Sequence, residues 1–499
     1  MSDALSALRT ALAPKAGMRR IPFPLESYEH PSLPLSAKRL INLMAEQQPA
    51  DARTAAALVS TPTLQVWDSA VGGSGAIGTG PILAMNDEMP GRIYIVSGSH
   101  FYRLSFPLAG GVTVEDLGSV GTADSGTGPS NSFVTIAAGP TAAVVCVAPR
   151  AYTCGHNVGS PLNLITDPDF PGATSVAYCD GYFCFSATGN TSMWFISELL
   201  DPSSFAALDF VFSDAVPNVV RRVISHRGQI WTIGEGGFEV WYDAGKADFP
   251  FRRASGGVIP IGTSSPMSVA KADQGVWWLG IDGLVWRSEG YTPKRVSTYA
   301  IEAIVGSSTV GLYAFTHPYR GHWFYCLTTA GGRTLSYDVT TGAWHERSTS
   351  TDGNGPWQAA TAAADNNSIH LFGDRTTGML YTLSMWVTDA GVTIMRQATL
   401  PTIWAATNRG YCARLEIEME SGGTNSPGPV TLEWSDDGAR TWKTPRTMSA
   451  GAPGDYTHRV YTTRLGSFRQ RTFRITTHGG VTRLYAVDAD LAVHPQAAA

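Results

Sequence analysis

The chain has 499 residues, roughly three times the ~150 of a typical domain, with 36 Lys+Arg against 41 Asp+Glu, a net charge of -5 and only 15% charged residues. That balance excludes a polyanion-coating protein at the level of the whole chain. A hydrophobic share of 43% excludes wholesale disorder, and 53 Gly and 30 Pro, with 14 Trp, 18 Tyr and 19 Phe, favour short strands and tight turns over long helices.

The first segment reads as lying outside any repeat. Its start, MSDALSALRTALAPKAGMRR, has no continuous apolar core of the signal-peptide kind. No stretch of the chain approaches the ~20 apolar residues of a membrane span. Residues 4–12 (ALSALRTAL) suit a turn or two of amphipathic helix before Pro14. PFPLESYEHPSLPLS is punctuated by prolines and reads as extended, because proline fits neither a helix interior nor a central strand. Residues 1–70 are therefore assigned to an extended N-terminal arm, with 58–67 (LVSTPTLQVW) as the candidate for a strand closing a ring. GSGAIG, Gly73 to Gly78, satisfies the spacing of a dinucleotide loop, but TGPILAM follows it where a helix would have to open, so it reads as a loop.

From residue 71 to 409 a hairpin signal recurs: a small-apolar run, a turn bearing Gly or Asn, then a strand with aromatics at every second position. It is TSVAYCDGYFCFS at Gly181, VRRVISHRGQIWTIG at Gly228, MSVAKADQGVWWLG at Gly275 and GLYAFTHPYRGHWFYCLT at Gly321, with weaker copies at Asn367, Gly91 and Pro140. Consecutive strong anchors lie 46 or 47 residues apart. A period in the forties with alternation by two marks β-propeller blades, which hide their faces by stacking around an axis. Seven copies predict about seven blades, with six or eight as alternatives. From 410 to 499 the period stops, and RLEIEME, VTLEWSDDGARTW, HRVYTTRLG, RTFRITT and TRLYAVDADLAV alternate as a small β-sandwich should. The fold class is all-β: a propeller, a C-terminal β-sandwich and an extended N-terminal arm.

The chemistry-bearing groups are sparse. Six cysteines (146, 154, 179, 184, 326, 412) make no disulfide scaffold in so long a chain. A two-residue turn at Asp180-Gly181 sets Cys179 opposite Tyr182 rather than Cys184, so reduced thiols are expected. SDDGARTW, Ser435 to Trp442, nearly matches the Asp box of sialidases, with Ala439 where glycine is usual; physically it is a hairpin clasp with Asp437 accepting turn N–H groups. A glycosidase would also need an arginine triad and a Tyr/Glu pair, which spacing does not supply. Asp87-Glu88, Asp436-Asp437 and the acids of DPDFPG (Asp167, Asp169) read as solvated turn residues, and no histidine pair has metal spacing. Arg459, Arg464, Arg469, Arg471, Arg474 and Arg483 form a basic cluster that Glu416, Glu418, Glu420 and Glu433 can balance on neighbouring strands. Trp277-Trp278 is either a ledge for sugar rings or a pair filling two adjacent cores. No catalytic, cofactor or metal residue is assigned.

AKRLINLMAEQQP (Ala37 to Pro49), the terminal SDDGARTW and RLGSFRQRTFRI (Arg464 to Ile475) resemble the packaged-DNA stabilisation proteins of short-tailed bacteriophages, also called tail accessory factors or tail nozzle proteins. The resemblance implies a non-enzymatic virion protein of the tail, made in the host bacterial cytoplasm. It implies a homohexameric ring below the portal-adaptor (head-to-tail connector) proteins, a conduit for genomic DNA without sequence-specific binding, and docking of the tail needle or plug and of tailspikes or fibres. The alternative is a carbohydrate- or receptor-binding propeller.

Overall fold

The computed structural model describes residues 17–52, 54–67, 75–106, 111–121, 133–246, 248–263, 265–273, 275–306, 312–364, 369–405, 408–423 and 428–494. The 4–12 segment, Gly73 and the Asn367 anchor lie outside the described residues. Seven four-stranded antiparallel units follow the predicted period: 82–119, 134–164, 173–212, 220–259, 270–295, 313–347 and 359–384, the last completed by a strand from earlier in the chain. Each of the six anchors within the described residues falls at the turn between the innermost strand of a blade and its second strand. At Asp180-Gly181, Arg227-Gly228 and Arg320-Gly321 both turn residues have positive φ, the mirror-image turn whose twist matches that of the flanking strands. Cys179 is paired with Tyr182, and all six cysteines are buried and unbridged.

Blades pack through alternating side chains. Trp277 joins a core between blades five and six, while Trp278 one position on joins the core between blades four and five. Both are essentially fully buried, so the sugar-ledge alternative fails: period-two alternation sends successive side chains into opposite faces of a blade that is covered on both.

The ring is closed by Thr63–Val66, which pairs antiparallel with Leu380–Ser384 as the outer strand of blade seven. Leu64 is wholly buried there, and its N–H donates to Asp389 Oδ1 at 2.7 Å. Gly75 and Ile77, within the glycine-rich motif, continue this closure through main-chain bonds to Leu380 and Gly378.

The N-terminal segment is extended, as its prolines require, but it packs into the sandwich rather than standing away from the body. One sandwich sheet orders Leu43–Gln47, Ala56–Ser60, Arg483–His494, Arg409–Met419 and Val460–Phe468, with Met18–Ile21 also on Arg483–His494. The other orders Ala37–Ile41, Met395–Thr399, Gln470–His478, Val430–Ser435 and Arg446–Met448. Ala37–Ile41 also runs parallel to Ala343–Arg347, the outer strand of blade six, so this sheet continues into the propeller. Between Ile41 and Leu43 the chain changes sheets at Asn42, which has φ 52 and is 1% exposed. Its side-chain amide donates to Ser348 O (2.7 Å) and Met395 O (2.8 Å) and accepts from Ser348 N–H (3.0 Å). Beside it the buried carboxylate of Glu346 accepts two bonds from Arg39, both 2.9 Å, and two from Arg333, at 3.0 and 2.7 Å. Burial alone would raise Glu346, but the two guanidiniums outweigh it and hold the carboxyl below its usual range.

Candidate functional site

Four residues before each turn anchor, the innermost strands place Asp87, Ile136, Ala177, Ile224, Lys271, His317 and Ala363 around one axial cavity of about 400 Å³. The predicted turn acids Asp87 and Glu88 are exposed and directly follow the inner strand Ile82–Asn86, as expected, but their carboxylates also reach neighbouring blades. Asp87 Oδ2 accepts from Ala364 N–H of blade seven at 2.7 Å, and Glu88 Oε2 from Ala138 N–H of blade two at 3.3 Å. Desolvation by the surrounding blades raises the Asp87 carboxyl above the usual range, against the pull of the Ala364 N–H and of Lys271.

The same logic runs around the axis. Asn86 donates to Ile136 O (3.0 Å), Thr135 accepts from Val176 N–H (2.9 Å) and Ser175 accepts from Val223 N–H (2.8 Å). Lys271 Nζ donates to Ser225 O (3.2 Å), and Thr316 donates to Lys271 O (2.5 Å). Innermost strands are sheet edges, with main-chain groups left over by the ladder, and buried main-chain groups need partners. Short polar side chains of the adjacent blade satisfy them, and so link blades seven, one, two, three, four, five and six in turn. Between six and seven the contact is aromatic instead, with Phe315 and His317 on Phe372. Across the axis Lys271 Nζ of blade five lies 3.5 Å from Glu88 Oε1 of blade one. The arrangement locks the centre of the disc and bridges its bore at the end carrying the turns.

His317 is enclosed in this wall, stacked on Phe324 with centroids 5.1 Å apart. Burial, aided by Arg347, lowers its pKa to about 3, so it is neutral at physiological pH. At the other end of the bore Arg222 donates from Nη1 to Pro266 O and Val269 O, each at 2.9 Å. Sequence reading did not single out Arg222, Asp87 or Lys271 as a set. The signal that could have found them is the repeat itself, because aligning its copies on their anchors superposes the inner-strand positions.

The sandwich motifs resolve as structural. Asp437 Oδ1 accepts from Ser435 Oγ (2.7 Å), Arg440 N–H (3.0 Å) and Thr441 N–H (2.9 Å), and Oδ2 accepts from Thr441 Oγ1 (2.6 Å). These bonds hold its carboxyl well below the usual range. Trp442 lies against the Arg474 guanidinium, 4.0 Å from its ring centre. Ala439 occupies a left-handed turn position at φ 65. Most of the basic cluster is ion-paired: Arg459 with Glu416, Arg471 with Asp436, Arg474 with Glu433 and Arg483 with Glu420. Asp167 caps its own turn, accepting from Asp169 N–H at 2.8 Å. Among the described residues no group of three His, Cys, Asp or Glu could hold a metal ion, and no helix is long and apolar enough to cross a membrane.

A family model described as the β-propeller of bacteriophage P22 Gp10 matches residues 28–388, and one described as its β-sandwich matches residues 395–488. No curated protein sequence matches the chain. Among solved structures, the extracellular domain of a putative hybrid two-component system from B. thetaiotaomicron aligns with TM-score 0.42 and 11% identity over 74% of this chain and 45% of that one. PorZ, a surface component of the type-IX secretion system of Porphyromonas gingivalis, gives 0.38 and 10% over 77% and 46%. Virginiamycin B lyase from Staphylococcus aureus gives 0.40 and 10% over 64% and 97%. The chain spans about half the length of the first two.

Proposed function

The chain belongs to the bacteriophage P22 Gp10 family, a structural phage family, and on that premise we propose that it is a subunit of the tail nozzle of a short-tailed phage. In this reading six copies form a ring below the portal-adaptor proteins. The ring retains packaged DNA, forms the conduit through which DNA leaves, and docks the tail needle and the tailspikes or fibres. Its work is mechanical: sealing, docking and gating, with no bond made or broken.

The observation that carries the reading is the family match over both the propeller and the sandwich. The axial cavity supports it from another side. About 400 Å³ holds on the order of a dozen waters at ~30 Å³ each, whereas a duplex has a major groove alone ~12 Å wide. The bore is moreover spanned by Lys271 and Glu88. A DNA passage built from this protein therefore runs between copies rather than through one propeller, and that requires a ring. The low charge suits such a wall, since a strongly basic one would hold phosphate and impede passage.

The test is the assembly state. Negative-stain images and native mass measurement with the adaptor ring present are expected to show a sixfold annulus, and a glycan array is expected to stay silent. A persistent monomer that binds sugar would overturn the reading in favour of a carbohydrate-binding propeller.

A further inference from the structure

The outer strand of a propeller blade is a sheet edge, and natural edges are commonly guarded by charge or proline. Blade one ends on a strand with Glu115 and Asp116, blade four on one with Arg252 and Arg253, and blade five on one with Pro293 and Lys294. Blade three differs. Its outer strand, Phe210–Phe212, reads Phe-Val-Phe, and both phenylalanines are exposed. The loop leading into that strand adds Leu199, Leu200 and Leu208, the last 82% exposed. Leu200 is held in the left-handed region at φ 60, its N–H donating to Gly181 O (2.8 Å) and its carbonyl accepting from Thr141 Oγ1 (2.9 Å). That conformation is unfavourable for leucine, and here it is fixed with the side chain in solvent. Exposed apolar side chains grouped in this way mark a surface that a protein covers.

Charge says which protein. Residues 151–220, which supply blade three and the outer half of blade two, hold seven acids and no Lys or Arg. Such partners as these acids have among the described residues are N–H groups, hydroxyls and a thiol, not cations. Desolvation, and then the neighbouring Glu198, raises the Asp209 carboxyl. The opposite charge lies on the same chain, at one end of the sandwich. Arg440, Lys443, Arg464 and Arg469 are exposed there, and none forms an ion pair among the described residues. Arg471, paired with Asp436 and donating to Leu465 O, ties the clasp to the 464–469 turn. Trp404, 61% exposed, pairs with Gln470 beside Arg469. This is the Gln470 end of Gln470–His478, whereas the His478 end meets Met395, which binds Asn42 at the joint with the propeller.

The sandwich joins the propeller at blades six and seven, and blade three is the blade farthest from both, two blades away on either side. The two surfaces are thus separated within one chain. Between copies they are complementary but unlike, and contacts between unlike patches build rings when the rotation closes. An apolar centre rimmed by matching charge is the anatomy of a specific interface. We propose that the apolar outer edge of blade three, rimmed by Glu198, Asp201 and Asp209, receives the sandwich end bearing Trp404, Lys443, Arg464 and Arg469 of a second copy of this chain. This head-to-tail contact repeats around the ring. The proposal rests on the ring reading above and names the surfaces that the ring uses.

The test is charge reversal, read by native mass measurement with the adaptor ring present. Glu198→Lys/Asp209→Lys reverses one surface and Arg464→Glu/Arg469→Glu the other. Each variant alone is expected to weaken ring formation at least about tenfold, because like charges then face each other. Mixed in equal amounts, the two reversed proteins are expected to form the ring again with strictly alternating copies, since every junction then joins opposite charges. With a ring from the unaltered chain, undiminished assembly of either folded variant, or no ring from their mixture, overturns the interface and leaves the tail reading standing. No ring from the unaltered chain removes both. Should a reversed variant not fold, carbodiimide cross-linking of the unaltered ring decides. Links between copies from Lys443 to Glu198, Asp201 or Asp209 sustain the contact, and links from those acids to the adaptor alone, or no links, overturn it.

Discussion

Six of the seven blades are each made from one stretch of the chain, 26 to 40 residues long, whereas the sandwich is made from the two ends of the chain. Blade three begins and ends within 173–212, and its strands pair with their sequence neighbours. In the sandwich Arg20 meets Asp488 across 468 positions, and Ser60 exchanges bonds with Thr482 across 422. Hairpin pairing costs little loop entropy, while joining distant segments defers its reward until much of the chain is in place. The propeller is thus assembled from locally determined units, and the sandwich depends on the propeller having brought its two halves together. Blade seven shares both characters, since Thr63–Val66 must return to it from the other side of the ring.

The sharpest way to break this contrast is at the joint. Glu346 is buried between Arg39 of the sandwich and Arg333 of the propeller, and removing one member of such a set costs about 3–5 kcal/mol. Glu346→Gln is expected to lower stability by about that much and to split one calorimetric transition into two. A single transition at the original temperature would mean the joint does not couple the units. Because the folded carboxyl sits below its unfolded value, this contribution is present above about pH 4.5 and is lost as pH falls further.

Ring closure comes next. Leu64→Ala leaves a void where a fully buried leucine packs, at a cost of about 2–5 kcal/mol, and urea unfolding should register it. Hydrogen exchange should show the loss concentrated in 359–384 rather than in blades two to four. Protection lost evenly around the ring would contradict independent blade units.

An acid limb separates the two regions further. His317 keeps its neutral form down to about pH 3 in the fold and to about 6.5 when unfolded, so stability is full above 6.5 and falls as pH drops toward 3, by about 1.4 kcal/mol per unit. His317→Phe is expected to lose less stability than the unaltered chain between pH 7 and pH 5. Parallel curves for the two proteins would exclude the histidine as the source.

The smallest effect belongs to the exposed clasp of the sandwich. Asp437→Asn weakens bonds to Ser435, Arg440 and Thr441 in a solvated turn and should cost about 1 kcal/mol at neutral pH. The folded carboxyl lies below the ordinary aspartate value, so the difference from the unaltered chain should shrink as pH falls below about 4. A loss comparable to that of Glu346→Gln would mean the clasp supports much more than its own hairpin.

The propeller was legible because its information is local and repeated: the turn glycines at 181, 228 and 321 and the alternating aromatics mark each hairpin within a dozen residues. The strands of the sandwich from 409 onward were legible for the same reason. What they pair with was not, because nothing near Ala37–Ile41 or Ala56–Ser60 in the sequence indicates partners more than three hundred residues away. The axial residues fall between these cases. Asp87 and Glu88 carry the local signature of turn acids, and only the closing of seven blades into a ring turns them inward toward Ala364, Ala138 and Lys271. Period, alternation and turn chemistry are short-range consequences of steric limits on the backbone, so the amino-acid order alone determined that this protein is a ring of hairpins with a sandwich at its end. Which side chains meet at the axis, and which two ends of the chain share a core, depend on distances that exist only once the ring has closed, so the tertiary structure decided them.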